Sequence, residues 1–203
     1  MVERGKREAS SVGDERGAGE GPVVGVLAIQ GDVEKHLAAI ERCGARGRRV
    51  RSPKDLAGLW ALVLPGGEST TISKGLDRHG LVEPIRAFAE AGGALLGTCA
   101  GAILLSREAR NHPVPTLGLL DVAALRNAYG TQVDSFVAPA DGEAGSAWGG
   151  MECVFIRAPR LVDGEPVLVR QGRRLACTFH PELTDDLRVH AALLALAEAG
   201  PIG

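Results

Sequence analysis

Residues 94–101 read A-L-L-G-T-C-A-G: a short apolar run that stops at a glycine, then a cysteine, Cys99, set between Gly97 and Gly101. A cysteine used only for packing needs no glycine on either side. A nucleophile held on a sharp strand-to-helix turn needs small neighbours to avoid clashes, and G-x-C-x-G has that elbow layout. In an elbow the central side chain stands exposed and the next backbone N–H, here that of Ala100, faces the reaction centre. A helix beginning beyond Cys99 offers its positive end, which favours thiolate over thiol. The pattern alone leaves a merely packed cysteine open, and only a base elsewhere in the chain can decide between the two.

Outward from Cys99, strands and helices alternate. Val23 to Ile29 is a Val/Ile-rich strand, Gln30-Gly31-Asp32 makes a turn with Asp32 as N-cap, and Val33 to Cys43 follows as a helix with Leu37 and Ile40 on one face. A short strand near Arg48 to Arg51, a turn or short helix around Pro53 to Leu59, and the apolar strand Ala61 to Leu64 come next, the last stopping at Pro65-Gly66-Gly67. Helix Leu81 to Glu90 then leads to strand Ala94 to Leu96. Short apolar strands with helical crossovers predict an α/β fold with a mostly parallel central sheet covered on both faces, whose ligands bind beyond the carboxyl ends of the strands. The turns at Gly66 and Gly97 both fall at such ends. After Pro113, Leu119 to Leu125, Gln132 to Ala138, Met151 to Ile156, Pro166 to Val169 and Leu175 to Phe179 read as strands, and Leu187 to Glu198 returns to helix. No linker divides the chain, so residues 22–203 are expected to form a single domain behind a charged, Gly-rich N-terminal extension, residues 1–21, expected to be disordered.

With 203 residues, 45% of them hydrophobic, and a formal net charge of -2, the chain can bury a proper core. Aromatic residues make up only 3% and there is no basic excess, which argues against nucleic acid as a partner. No apolar stretch reaches the roughly 18 to 20 residues needed to span a bilayer, and the N-terminal segment lacks the apolar centre of a secretory signal, so no membrane partner and a cytoplasmic location are expected. Cys43, Cys99, Cys153 and Cys177 form no C-x-x-C pair, which suggests neither a metal site nor a disulfide framework. Cys43, Cys153 and Cys177 read as small buried hydrophobes. No cofactor is expected: the loop at Gly66-Gly67 lacks the G-x-x-x-x-G-K-[ST] pattern of a phosphate cradle.

The base is found in the run H-P-E. His180 follows the apolar strand Leu175 to Phe179, and on an extended segment residues two apart share a face, so His180 and Glu182 can meet as base and orienting carboxylate. That is triad logic in Cys-His-Glu form: the imidazole takes the thiol proton and later protonates the leaving group, while the carboxylate fixes the tautomer. His36, His79, His112 and His190 read as histidines without a role. In Pro65 to Thr71, consecutive glycines let backbone N–H groups approach a substrate, and the amide of Gly67 with that of Ala100 could form an oxyanion hole. Glu68 to Thr71 could equally be a helix cap.

In chain order, P-G-G-E-S-T-T, G-T-C-A-G and H-P-E-L resemble a class I glutamine amidotransferase. More closely, the chain is similar to the PdxT/SNO family, the glutaminase subunits of pyridoxal 5'-phosphate synthase. Further matching stretches are V-L-A-I-Q-G-D-V from Val26, R-N-A-Y-G-T-Q-V-D-S-F from Arg126, F-I-R-A-P from Phe155, and the T-D-D-L-R-V-H run ending at His190. Related glutaminases share the elbow and H-P-E but not P-G-G-E-S-T-T or R-N-A-Y-G. The resemblance implies a three-layer, flavodoxin-like α/β fold and hydrolysis of L-glutamine to glutamate and ammonia through a thioester on Cys99. It also implies delivery of the ammonia to a separate TIM-barrel synthase subunit that builds pyridoxal 5'-phosphate. It carries glutamine-binding roles onto Gly66, Gly67 and Glu68, onto Arg126, and onto Ile156 with Arg157; a guanidinium suits the α-carboxylate, and an acidic or carbonyl group the ammonium.

Three stretches depart from the family pattern: the extension before Gly21, the Gly- and Ala-rich run from Ala138 to Gly150, and the short link Arg160 to Glu165, where a hairpin is trimmed. Two other readings stay open from sequence: a cysteine hydrolase of the PfpI kind, against which H-P-E argues, and a glutamine-sensing subunit that has lost turnover.

Overall fold

In the computed structural model, which describes residues 21–126, 135–140, 147–162 and 167–198, the first half alternates strand and helix. β1 (Val23–Leu27), α1 (Val33–Arg42), β2 (Arg46–Val50), β3 (Ala61–Leu64), α2 (Ser69–Arg78), α3 (Val82–Glu90), β4 (Ala94–Thr98) and the short α4 (Ala100–Leu105) follow one another. The second half contributes β5 (Ser106–Arg110), β6 (Leu120–Leu125), β7 (Phe136–Pro139), β8 (Glu152–Phe155), β9 (Arg160–Val162), β10 (Leu168–Gln171), β11 (Arg174–Cys177) and α5 (Arg188–Ala197). The N-terminal extension up to residue 20, the start of the expected strand at Gln132, and most of the trimmed link at 163–166 lie outside the described residues.

The central sheet has six strands in the order β10-β11-β4-β3-β1-β2, all parallel except the antiparallel edge strand β10. Alternation along these strands divides the core in two. Val24, Val26, Ala61, Val63, Ala94, Leu96, Leu175 and Cys177 face one way and pack with Leu37 and Ile40 of α1 and Val189 and Leu193 of α5. Leu27, Leu62, Leu64, Leu95 and Ala176 face the other way and pack with Ile72 and Leu76 of α2, Ile85 of α3 and Leu104 of α4. The result is helix, sheet, helix. Sheet residues on both faces are fully buried, and a one-residue slip in any strand would exchange the two sets, so packing fixes the register. That register sets the carboxyl ends of β1, β3, β4 and β11 side by side along one edge. Two smaller sheets, β5-β6-β9 and β7-β8, extend the wall beside it.

The structure departs from the sequence reading in several places. α2 occupies a stretch that local propensity conceals, with Thr70, Thr71, Ile72 and Gly75 all poor helix formers. It forms because Glu68 caps its start, accepting from the N–H groups of Thr70 and Thr71, and because Ile72 and Leu76 are buried. β5, an apolar-poor strand, pairs in parallel with β6 directly after α4. Asp32 stands at the N-cap of α1 without a side-chain capping bond, lying instead 3.9 Å from Lys35. Cys153 and Cys177 are buried as expected, whereas Cys43 is only partly so. Among the described residues no helix is long and apolar enough to cross a membrane.

Candidate active site

β4 turns into α4 with a single residue between them, and that residue is Cys99. Its backbone sits at φ 48, ψ -106, a region that side-chain-bearing residues rarely occupy and that tertiary contacts must enforce. The flanking glycines show how. A Cβ on Gly101 would lie 1.9 Å from the Leu64 carbonyl oxygen, and one on Gly97 2.6 Å from the Gly101 carbonyl oxygen. α4 is thus pressed against the ends of β3 and β4 with no room for a methyl group.

β11 brings the base. It pairs in parallel with β4, with Cys177 opposite Thr98, so residues just beyond Cys177 emerge beside Cys99. The His180 N–H donates to the Val154 carbonyl at 2.8 Å. Pro181–Leu183 then forms a turn of 3-10 helix rather than the extended segment expected. The tight turn still brings the two side chains together: His180 Nδ1 lies 2.7 Å from Glu182 Oε1. Beyond the ring, His180 and Cys99 line the same cavity. Gly66 forms the floor against the imidazole, where a Cβ would lie 2.4 Å from His180 Cε1.

The electrostatics follow from burial and partners. Burial pulls the His180 imidazole toward its neutral form, but its hydrogen bonds to Cys99 and Glu182, and their charges, outweigh this and carry its pKa to about 10. Burial pushes the Glu182 carboxyl up, yet the His180 bond and the nearby His36 hold it below its usual value. Both shifts favour the charged forms, an imidazolium at His180 held against the Glu182 carboxylate.

Two histidines read as idle are part of this cluster. His36 and His190 are 0% and 1% exposed; His36 Nε2 lies 3.3 Å from Glu182 Oε2, and His36 Nδ1 lies 2.9 Å from His190 Nε2. His36 sits four residues before Ile40 on the buried face of α1, a periodicity that would have placed it inside. His79 and His112 are exposed.

A cavity of about 380 Å³ opens over Cys99, lined by Gln30, Gly67, Glu68, Ser69, Ala100, Ile103, Arg126, Ile156, Arg157 and His180. Of the residues singled out from sequence, only Gly66 and Glu182 are absent from this lining, both lying behind the His180 ring. The Glu68 carboxylate accepts from the Thr71 hydroxyl and from the N–H groups of Thr70 and Thr71, which hold its pKa down to about 2. The Glu68 N–H in turn donates to Gln30 Oε1 at 3.1 Å. Arg126 reaches across from the end of β6, donating to the His112 carbonyl at 2.8 Å and to Thr70 Oγ1 at 3.1 Å, and lies 3.6 Å from Glu68 Oε1. Asn111, at φ 58, clamps the Arg126 backbone from both sides: its amide donates to the Arg126 carbonyl at 2.6 Å and its Oδ1 accepts from the Arg126 N–H at 3.0 Å. Gln30 and Asn111 carried no signal of their own in sequence. The Ile156 carbonyl oxygen is 3.7 Å from the Cys99 sulfur, and Arg157 next to it adopts φ 46. Among the described residues no acceptor takes up the N–H of Gly67 or of Ala100, and no three His, Cys, Asp or Glu side chains gather as a metal site.

A mostly parallel three-layer sheet carrying a cysteine on a sharp turn after one central strand, with a histidine and a glutamate after the next, has the fold of the class I glutamine amidotransferases. A solved crystal structure of a glutamine amidotransferase superposes with a TM-score of 0.78 at 45% identity, covering 86% of this chain and 98% of its own. Residues 26–198 match the model of the SNO glutamine amidotransferase family, and the chain belongs to that family. Two curated relatives share the name pyridoxal 5'-phosphate synthase subunit PdxT. The one from Deinococcus radiodurans is 50% identical over 191 residues, covering 86% of this chain and 96% of its own. The one from Thermus thermophilus is 51% identical over 189 residues, covering 86% and 97%.

Proposed function

We propose that this chain is the glutaminase subunit of a pyridoxal 5'-phosphate synthase, with Cys99 as nucleophile, His180 as acid and base, and Glu182 as the group that orients the imidazole. The observation that carries this reading is the position of His180, which lines one cavity with Cys99 and lies 2.7 Å from Glu182. In this reading the Cys99 thiolate attacks the side-chain amide carbon of L-glutamine. The oxyanion forms between the N–H groups of Gly67 and Ala100, which have no competing acceptor among the described residues. As the C–N bond breaks, the imidazolium gives its proton to the departing ammonia and leaves a thioester. The neutral imidazole then takes a proton from water, whose oxygen displaces the sulfur to release glutamate.

Substrate binding falls to the rest of the cavity. Arg126, held by Asn111 and with N–H groups to spare, suits the α-carboxylate. The Ile156 carbonyl and Glu68 suit the ammonium, and Arg157 closes the far side. Gly66 acts through the imidazole it supports. The same reading takes residues 22–203 as one catalytic domain working in the cytoplasm, and a TIM-barrel synthase subunit as the recipient of the ammonia.

The test is glutamine-dependent ammonia release, with and without that synthase subunit, together with labelling by a glutamine-like electrophile. Turnover and labelling should both vanish in Cys99→Ala. Glutamine binding without release in either condition, or labelling that persists in the variant, would show that the chemistry lies elsewhere.

A further inference from the structure

We propose that His36 and His190 are a positioning pair for the hydrolysis site: two neutral imidazoles whose N–H groups point the same way, toward Glu182, and hold that carboxylate ionised and aimed at His180. This rests on the triad reading above and extends it by one layer.

The geometry selects a single arrangement of protons. His36 Nε2 faces Glu182 Oε2 at 3.3 Å and Thr98 Oγ1 at 3.3 Å. His36 Nδ1 faces His190 Nε2 at 2.9 Å. His190 Nδ1 is buried with no partner. With the proton on Nε2 of both rings, His190 donates to His36 Nδ1, and His36 Nε2–H donates to Thr98 Oγ1 with its positive end beside the carboxylate. Of the two rings' nitrogens, only His190 Nδ1 is then left unpaired, as a bare lone pair. With the protons on Nδ1 instead, His190 would bury an unpartnered N–H, and the His36 lone pair would face a carboxylate oxygen. Both faults are costly where water cannot enter.

Glu182 Oε2 lies 3.3 Å from His36 Nε2 but has no hydrogen-bond partner among the described residues. The contact therefore acts as a dipole turned toward a charge, and its direction depends on the tautomer that His190 imposes. The charged and titratable groups facing the pair are Glu182, His180 and, at the start of α1, Asp32. Burial outweighs the pull of Glu182 and keeps both rings neutral, with His190 brought down to about 3. A neutral pair supports Glu182 without competing with His180 for its charge. The two histidines come from α1 and α5, the first and last helices among the described residues, so the same contact ties both to the back of the site.

The test has two parts. Nitrogen NMR of the full-length protein labelled at histidine should show His36 and His190 both protonated on Nε2 at neutral pH; a His36 proton on Nδ1 overturns the proposal. That measurement needs no turnover, so it stands or falls separately from the labelling of Cys99. In glutamine hydrolysis, His36→Leu should lower kcat by about tenfold to a hundredfold, the range for losing a polar contact to a charge. KM should stay unchanged, and the acid limb of the kcat/KM profile should move to higher pH. His36→Gln, whose amide can replace the Nε2–H donor, should restore most of the loss. A folded His36→Leu with wild-type kcat and pH profile, or a His36→Gln no better than Leu, refutes the positioning role. If His36→Leu does not fold, the wild-type tautomers and the His36→Gln pH profile decide.

Discussion

Gly66→Ala should inactivate the enzyme without weakening its hold on glutamine. The added methyl carbon would lie 2.4 Å from His180 Cε1 and 3.0 Å from Nδ1, where carbon atoms ordinarily settle about 3.5 to 4 Å apart. The ring would have to retreat by about 1 Å to restore contact distance. It cannot do so freely, because Glu182 holds Nδ1 at 2.7 Å and the His180 backbone is pinned to Val154 at 2.8 Å. A displacement of about 1 Å in a reacting group costs on the order of 100-fold in rate. Steady-state glutaminase assays with the synthase subunit present should therefore show kcat down about 100-fold with KM within a factor of about 2. Labelling of Cys99 should also slow, since the imidazole that serves it as base is displaced. A raised KM with kcat intact would mean that Gly66 contacts substrate, as the family resemblance suggested, and that its support of the imidazole is immaterial.

Two further outcomes concern stability. Gly101→Ala drives a methyl group to within 1.9 Å of the Leu64 carbonyl oxygen, backbone against backbone, so thermal unfolding should show a loss of about 3 kcal/mol or more; a melting temperature like the wild type's would mean that α4 can slide from β3. Burial depresses the pKa of His36 and His190 in the folded protein. Below about pH 6.5, therefore, the unfolded chain takes up protons that the folded one refuses. Their contribution is fully present above that value and is lost as pH falls toward the depressed folded values. Urea midpoints should drop between pH 7 and pH 4, and in His190→Leu the drop should be shallower; equal slopes would show that His190 is protonated in the native state.

Which parts of the molecule were legible from sequence follows from how far each signal reaches along the chain. The elbow, the H-P-E run and the Gly66-Gly67 turn are contiguous, and each lies at the end of an apolar strand whose composition marks it, so the parallel sheet could be read directly and these residues could be singled out as candidates. α2 was hidden because its threonines and glycine contradict its state locally, and only Ile72 and Leu76 packing against the sheet stabilise it. Arg126 could be named from its motif, but not the clamp by Asn111, which joins residues 15 apart through a loop with no regular pattern.

By itself, then, the sequence of this protein determined the parallel β-α arrangement of its first half, the candidate cysteine, histidine and glutamate, and the family to which the chain belongs. Only the tertiary structure decided that His180 meets Cys99 through the pairing of β11 with β4, that Gly66 seats the imidazole, and that His36 and His190 stand behind Glu182. The physical reason is distance along the chain. Strand periodicity and turn chemistry act between near neighbours, whereas His36 and His190, 154 residues apart, acquire a common role only when the sheet folds and excludes water from between them.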